Sequence, residues 1–249
     1  MRELLPDLFV YEDSCNVYII RRGDRAIAID FGTGGVLKEL GAIGVSGLDW
    51  IVHTHHHRDQ CFGDHLAVAQ GAKLAVPEWE AHYFLEAEHF WGRRGVFHVI
   101  NMRADFFTLT ESVPIAACLQ DFMQFAWKDV TLEICPAPGH TQGQVALMWD
   151  RGGQKIAFVG DLIRDDGQVE TIYDLQIVYG NWDGMQQSIS AMEYLKTFQP
   201  TTLFPSHGEA IERPIEAMDR LKTAMRGWME FYGSTVPTQV PEVTVSELR

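Results

Sequence analysis

The chain has 249 residues, of which 46% are hydrophobic, and its formal net charge at pH 7 is -14. This length and composition predict one domain with a sizeable core and do not require a second domain. The charge argues against a protein that processes nucleic acids, because an acidic surface repels a polyanion at long range. We therefore expect a small-molecule substrate and no nucleic-acid partner.

The sequence carries no signal for secretion or membrane insertion. Residues 1–7 lack the apolar core of a signal peptide, and no later apolar run is long enough to span a bilayer. The four cysteines, at positions 15, 61, 118 and 135, show no paired spacing, so no disulfide scaffold is predicted. We expect a cytoplasmic protein with no membrane contact, and a homodimer is compatible with the sequence.

The predicted elements of the first half mix strands and helices. In chain order they are a hairpin of residues 16–21 and 25–31 joined at Gly23-Asp24, a short helix at 36–43 and a strand at 48–52. A helix at 64–70, a strand at 73–76 and a helix at 78–91, which begins after Pro77, follow.

The second half repeats this mixture. Strands are predicted at 130–135, 144–150, 155–159 and 202–204, with helices at 184–198 and 214–232. The resulting domain covers residues 1–233, and residues 234–249 are predicted to be a tail or linker. Within the domain, residues 78–128 read as an aromatic-rich insertion.

The most informative segment follows the strand at 48–52 and reads Thr-His-His-His-Arg-Asp-Gln over residues 54–60. His55, His57 and Asp59 alternate, and alternate side chains of an extended segment point to the same side. Imidazole nitrogen and carboxylate oxygen are ligands for zinc, iron and manganese. The segment therefore predicts a metal site, although a solvated cluster of histidines at a strand end has the same appearance. His53 and His56 are out of phase and are expected to face away.

Three later segments also end apolar runs with residues that bind metals. His140 lies in the turn Pro-Gly-His-Thr-Gln-Gly, Asp161 follows Phe-Val-Gly, and His207 lies in Pro-Ser-His-Gly. Strand exits are common positions for functional side chains, because the sheet holds them rigidly. These segments, in this order, resemble the metallo-β-lactamase superfamily. Its pattern is a T-H-x-H-x-D-H run, a histidine in a G-H-T or G-H-S turn, a G-D aspartate and a late histidine.

The resemblance implies an α/β fold, a four-layer αββα sandwich in which helices flank two mixed β-sheets. It also implies two metal positions that share one aspartate. The implied ligands are His55, His57 and His140 for the first metal, Asp161 as the bridge, and Asp59 and His207 for the second metal.

One position departs from the pattern. Gln60 stands where the family usually has a histidine after the aspartate of the first run. If Gln60 is a ligand of the second metal, it offers a neutral amide oxygen, which is a weaker donor to zinc than an imidazole nitrogen. We therefore expect zinc in one tight site and in a second, weaker site, with iron or manganese as alternatives.

The ligand set predicts the chemistry. A zinc held by three histidines with an open position lowers the pKa of its bound water to about 7, which provides hydroxide at neutral pH. Asp59 and Asp161 are the expected catalytic carboxylates, because they would orient this water and transfer a proton. The expected reaction is hydrolysis of a small acyl substrate, namely a lactone, thioester, ester or amide.

Other functions remain open at this stage. The main alternative is a mononuclear iron oxidase or dioxygenase of the same fold acting on a sulfur substrate, since three histidines also hold ferrous iron. A nuclease and an inactive binding protein are less favoured. For substrate contacts, Arg164 is a candidate partner of a carboxylate. The aromatic residues at 78–128 are candidates for an apolar pocket wall or, equally, for core packing. Cys61 is expected to be a small buried residue rather than a ligand.

Overall fold

The computed structural model of the protein describes residues 1–93, 107–169 and 183–235. The predicted tail from residue 236 onward and part of the aromatic-rich segment lie outside these residues. In the part of the chain that is described, no helix has the length and apolar character needed to cross a bilayer.

The first sheet has seven strands in sequential order. Neighbouring strands from β1 to β4 are antiparallel, and those from β4 to β7 are parallel. The parallel part requires crossover connections, which the helical segments between the strands provide. The strands are β1 (Arg2–Leu5), β2 (Leu8–Glu12), β3 (Asn16–Arg22), β4 (Arg25–Ile29), β5 (Gly47–Val52), β6 (Lys73–Pro77) and β7 (Ala117–Leu119).

The second sheet has five strands in the reverse order, from β12 to β8. All its pairs are antiparallel except that of β11 with β12, which are parallel and connected through the segment that contains α5 (Asp183–Thr197). The strands are β8 (Gln124–Trp127), β9 (Val130–Pro136), β10 (Val145–Asp150), β11 (Lys155–Gly160) and β12 (Thr202–Pro205).

The remaining helices are short, apart from the last. They are α1 (Arg58–Cys61), α2 (Asp64–Ala69), α3 (Ala81–Leu85), α4 (Ala87–Gly92) and α6 (Pro214–Thr235). Within the described residues, 3₁₀ helices occur at Gly35–Lys38, Leu40–Ile43 and Glu78–Glu80.

Both faces of each sheet are covered by apolar packing. In β4, Ala26 and Ala28 pack in the cluster between the first sheet and helices α1 to α4, whereas Ile27 and Ile29 pack between the two sheets. A third cluster joins the second sheet to α5 and α6. In strands such as β4 and β11 the side chains alternate between two buried layers, so these strands read as apolar runs. The predicted four-layer αββα sandwich is confirmed.

Several element predictions need correction. The helix expected at 78–91 is a 3₁₀ turn followed by α3 and α4, because the backbone at Glu86 leaves helical geometry at φ -132° and ψ 35°. The helix expected at 36–43 is two 3₁₀ turns. The strands β1, β2, β7 and β8 were not predicted. Since β7 and β8 pair within the sheets, residues 78–128 are only partly an insertion. The boundary predicted at residue 233 falls inside α6, which extends to Thr235.

Candidate metal centre

The predicted ligands meet at one edge of the sandwich, where strands of both sheets end. His55 and His57 follow β5, His140 follows β9, Asp161 follows β11 directly, and His207 follows β12. Carboxyl ends of strands are frequent ligand sites in open sheets. The sandwich thus holds five polar side chains on segments that are far apart in sequence.

The local geometry of the first segment differs from the predicted alternation. His57 has extended backbone, with φ -63° and ψ 148°, and it immediately precedes α1. Asp59 therefore lies in the first turn of α1 rather than on an extended segment. This turn directs its carboxylate toward His207, whose Nε2 lies 3.1 Å from Asp59 Oδ2. The period of two holds for His55 and His57 only.

A first group consists of His55, His57, His140 and Asp161, and one ligand atom of each lies within 4.8 Å of the others. His57 Nδ1 and His140 Nε2 are 2.8 Å apart. Asp161 Oδ2 lies 3.1 Å from His140 Nε2 and 3.5 Å from His55 Nε2. All three histidines are buried, and Asp161 is the most exposed of the four, with 15% of its side chain accessible to solvent.

A second group consists of Asp59, Asp161 and His207, again within 4.8 Å of one another. Asp161 Oδ1 lies 3.7 Å from His207 Nε2, whereas Oδ2 faces the first group. The two oxygens of one carboxylate thus point toward two different groups. Asp59 and His207 are about one third exposed, so the second group lies nearer to solvent.

The residues present fit a metal ion in both groups. His55 Nε2 is buried and makes no hydrogen bond with any described residue, which is unusual for a buried polar atom. Burial, together with the neighbouring His140 and His55, holds the pKa of His57 well below its ordinary value, so its imidazole is the neutral, metal-binding form. Burial raises the pKa of Asp161, but His140 and His55 lower it by more, so the carboxylate stays ionised.

Gln60 is buried beside the second group. Its Nε2 donates a hydrogen bond to Asp59 Oδ2 over 2.8 Å, and its Oε1 has no hydrogen-bond partner among the described residues. The amide therefore contacts a candidate ligand through its nitrogen, which cannot bind a metal. Ligation by Gln60 stays a prediction.

Two buried acids that the sequence analysis did not single out surround the ligands. Asp30 accepts hydrogen bonds from Thr54 N at 2.9 Å and Thr54 Oγ1 at 2.8 Å, and Ser206 Oγ donates to it at 3.3 Å. It therefore links the ends of β4, β5 and β12. Asp30 follows an apolar strand just as Asp161 does, and this signal was available in the sequence. The second acid is Glu80, which contacts the segments carrying His56 and Thr141.

The out-of-phase histidines belong to neither candidate group, although the ring centroid of His56 lies 5.0 Å from that of His57. His53 lies between Asp30 and Asp64, at 3.3 Å and 3.0 Å, and is fully buried. Burial lowers the pKa of His53, but Asp64 and Asp30 raise it by more, to about 10. His56 stacks on Tyr83, with ring centroids 4.0 Å apart. These contacts join the ligand segment to Asp30, Asp64 and Tyr83.

The other candidates have distinct positions. Cys61 Sγ donates to the carbonyl oxygen of His57 over 2.9 Å, and Cys61 belongs to neither group. Arg164 Nε donates a hydrogen bond to Asp165 Oδ2 over 2.9 Å. The hydrogen bond with Asp59 raises the pKa of His207, and the nearby charge of Arg164 lowers it by less. Phe107 lies beside the first group with its ring centroid 5.6 Å from that of His57, and it is 58% exposed.

Comparisons with known proteins agree with this geometry. A beta-lactamase-like protein 2 homolog of Drosophila melanogaster is 24% identical over 209 residues, which cover 80% of this chain and 60% of the relative. A probable metallo-hydrolase of Methanocaldococcus jannaschii is 26% identical over 82% of this chain and 92% of its own length. The chain thus spans only about 60% of the length of the Drosophila relative.

Solved structures share the fold at low identity. A metallo-beta-lactamase family protein of Thermus thermophilus superimposes with a TM-score of 0.71 at 16% identity, covering 94% of this chain and 84% of that one. A Cronobacter sakazakii metallo-beta-lactamase with a HARLDQ motif gives a TM-score of 0.66 at 16% identity, with 93% of each chain covered. Residues 55–60 of the present chain read HHHRDQ and end in the same Asp-Gln pair.

The family model described as the metallo-beta-lactamase superfamily matches residues 10–207, which is most of the chain and includes every candidate ligand. Together with the two groups of histidine and aspartate side chains that could hold metal ions, this match shows that the chain belongs to the metallo-β-lactamase superfamily.

Proposed function

We propose that the protein is a zinc-dependent hydrolase of a small acyl substrate, namely a lactone, thioester, ester or amide. The observation that carries the proposal is the carboxylate of Asp161, whose Oδ2 lies in the buried group of three histidines and whose Oδ1 faces His207. A carboxylate shared between two groups of this kind would suit two metal ions, an arrangement found in hydrolytic enzymes.

The residues have separate roles in this proposal. His55, His57 and His140 would hold the first metal, Asp59 and His207 the second, and Asp161 both. When bound, the metals would supply Lewis acidity. This would polarise the substrate carbonyl and lower the pKa of water, so that hydroxide is available as the nucleophile near neutral pH. Asp59, which is on the exposed side, would accept a hydrogen bond from the attacking water and hold its proton at a carboxylate oxygen.

Charge and similarity support an acyl substrate over a polyanion. A hydroxyacylglutathione hydrolase of Shewanella sp. (strain ANA-3) is 28% identical over 156 residues, which cover 61% of this chain and 45% of that enzyme. Its name describes an acyl group joined to a thiol, which is a thioester. The formal charge of -14 favours a small molecule over nucleic acid. We also propose a cytoplasmic location, which the four free cysteines support.

The test combines metal analysis with a substrate panel. Elemental analysis of the purified protein without added metal should give about one zinc per chain if the second site is weak. Hydrolysis of thioesters, lactones, esters and amides should be measured with and without a chelator. Iron as the main metal, with no chelator-sensitive hydrolysis, would contradict the proposal and favour the oxidative alternative.

His140→Ala provides the residue-level control for this experiment. Removal of this imidazole should lower the content of tightly bound metal and reduce hydrolysis at least about a hundredfold. Loss of a residue that only supports a metal ligand reduces activity by up to about a hundredfold, and loss of the ligand itself should cost at least as much. His65→Ala is the matched control, because His65 is exposed, belongs to neither group, and has its Nδ1 3.2 Å from the carbonyl oxygen of Phe62. Equal activity in the two variants would show that catalysis does not use the first group.

A further inference from the structure

Glu80 is a buried carboxylate that lies outside both candidate metal groups. It ends the 3₁₀ helix Glu78–Glu80 after β6 and is 1% exposed. A buried charge is unfavourable unless several donors compensate it. The groups that compensate Glu80 come from two segments that carry ligands.

One oxygen of Glu80 binds the first histidine segment. Oε2 accepts a hydrogen bond from the backbone N–H of His56 over 2.7 Å, and His56 Nδ1 lies 2.9 Å from the same oxygen. His56 stands between His55 and His57, so this contact fixes the backbone that aims both candidate ligands.

The other oxygen binds the turn that carries His140. Oε1 accepts hydrogen bonds from Thr141 Oγ1 and from Gly143 N, the latter over 3.0 Å. A Cβ atom at Gly143 would lie 2.5 Å from Glu80 Cγ and 2.7 Å from Trp79 Cβ. The turn therefore approaches the carboxylate closely only because residue 143 has no side chain.

The two segments must be placed correctly relative to each other, since His57 and His140 are 83 residues apart in sequence but have ring nitrogens 2.8 Å apart. A backbone hydrogen bond from Val145 N to Thr54 O, over 2.9 Å, joins the strand ends that flank the two segments. The contacts of Glu80 join the segments beside the candidate ligands themselves. We propose that Glu80 is a positioning residue, whose two carboxylate oxygens hold the His55–His57 segment and the His140 turn at the separation that the first metal requires. This inference rests on the proposed metal centre, not on the identity of the substrate.

The test variant is Glu80→Gln, which keeps the shape but places an amide NH₂ opposite a donor. Whichever way the amide turns, its nitrogen faces either the N–H of His56 or that of Gly143, so one of the two backbone hydrogen bonds to this side chain is lost. Zinc affinity should be measured by competition with a chromophoric chelator. We expect the first-site affinity to fall about tenfold or more, as for other groups that orient metal ligands.

The matched control is Glu78→Gln. Glu78 is exposed on the same 3₁₀ helix and accepts its bond from Gln120 Nε2 at 3.0 Å, away from the histidines. This variant should keep the zinc affinity of the wild type within about twofold, because an exposed bond of this kind contributes little.

A purely structural role is separated by thermal unfolding with a chelator and with excess zinc. If Glu80 has only a structural role, Glu80→Gln lowers the Tm equally with chelator and with zinc, and the rise in Tm caused by zinc is preserved. If Glu80 positions the ligands, the rise in Tm caused by zinc becomes smaller, because the stabilisation by a bound ligand depends on its affinity. Gly143→Ala should reduce it too, by displacing the turn from the other side. The double variant should lose less affinity than the sum of the single losses, since both changes break the same link.

Unchanged zinc affinity and an unchanged zinc-induced rise in Tm in Glu80→Gln would overturn the inference. Failure of the proposed function is a separate result: a wild-type chain that binds zinc tightly but hydrolyses nothing in the panel would contradict the hydrolase, while the difference between the two glutamate variants still decides the role of Glu80.

Discussion

At the scale of single residues, the candidate centre depends on the two oxygens of Asp161. The sequence predicts this aspartate at a strand end, and the resemblance implies that it is shared by the two metal positions. A motif does not state which carboxylate oxygen faces which group. The structure directs Oδ2 toward His140 and Oδ1 toward His207. By contrast, Asp59 lies on a helical turn instead of the expected extended segment, although it still reaches His207.

Gln60→His should strengthen the second metal position. In the wild type, the amide nitrogen of Gln60 donates to Asp59 Oδ2, the oxygen that also faces His207. An imidazole would place a metal-binding nitrogen where the amide nitrogen, which cannot bind a metal, now lies. We expect the affinity for the second zinc to rise about tenfold or more, a typical effect of changes around metal ligands, measured by zinc uptake under limiting and excess metal.

Gln70→His is the control for this substitution, because Gln70 is exposed at the end of α2. It adds one histidine without touching the centre. A wild-type protein that already takes up two zinc ions with equal affinity would contradict the expected weakness of the second site.

At the scale of elements, the aromatic residues between 78 and 128 illustrate what a local pattern leaves open. Their density suited either a pocket wall or core packing. In the described part, Phe84 of α3 packs in the cluster between the first sheet and its covering helices, and Phe125 and Trp127 pack between the two sheets. Phe107 alone among these four lies against a candidate ligand. Strand β8 accounts for Phe125 and Trp127, because its side chains alternate between the core and solvent.

Gly139→Ala should destabilise the turn that carries His140. Gly139 has φ +140°, and a Cβ atom there would lie 1.9 Å from Ser188 Oγ and 2.7 Å from the carbonyl oxygen of Gly184, both on α5. Overpacking of this kind typically lowers the free energy of unfolding by about 1–3 kcal/mol. Urea unfolding of the metal-free protein measures this loss.

The matched control has the opposite sign. Gly227 lies inside α6, and a Cβ atom there would meet nothing within 4 Å. Gly227→Ala should raise the free energy of unfolding by up to about 1 kcal/mol, because alanine favours the helix. Equal effects of the two substitutions would show that the approach of the His140 turn to α5 is looser than the structure indicates.

At the scale of the whole molecule, the two sheets are joined at the end of β5 opposite the candidate centre. Asp49 accepts a hydrogen bond from Arg25 Nε over 2.8 Å within the first sheet and from Trp127 Nε1 over 2.8 Å in the second sheet. Burial raises the pKa of Asp49, but Arg25 and Trp127 lower it by more, so the net shift is downward from 3.8.

This shift gives a signed pH dependence for Asp49→Asn. At pH 7 the variant should be less stable by about 1 kcal/mol, the usual contribution of a hydrogen bond. Because the folded-state pKa lies below that of the unfolded chain, the stabilisation is present above about pH 4 and is lost as the pH falls through the folded value. The difference between the two proteins in urea unfolding should therefore shrink from pH 7 to pH 3.

Asp129→Asn is the control, because Asp129 pairs with Arg22 through a carboxylate that is 68% exposed. Solvent-exposed pairs contribute little to stability, so this variant should resemble the wild type. A difference between wild type and Asp49→Asn that stays constant from pH 7 to pH 3 would show that the Asp49 carboxylate does not need its charge to join the sheets.

The sequence by itself determined the family, and with it the four-layer fold, because ligand-type residues at the ends of apolar strands form a local pattern in a fixed order. It also named the six side chains that the structure brings together in two groups. Only the tertiary structure decided which oxygen of Asp161 faces which group, which aromatic residues enter the core, and how Asp30 and Glu80 connect the ligand segments. These are contacts between residues far apart in the chain, and a local pattern does not specify the distance between two such segments.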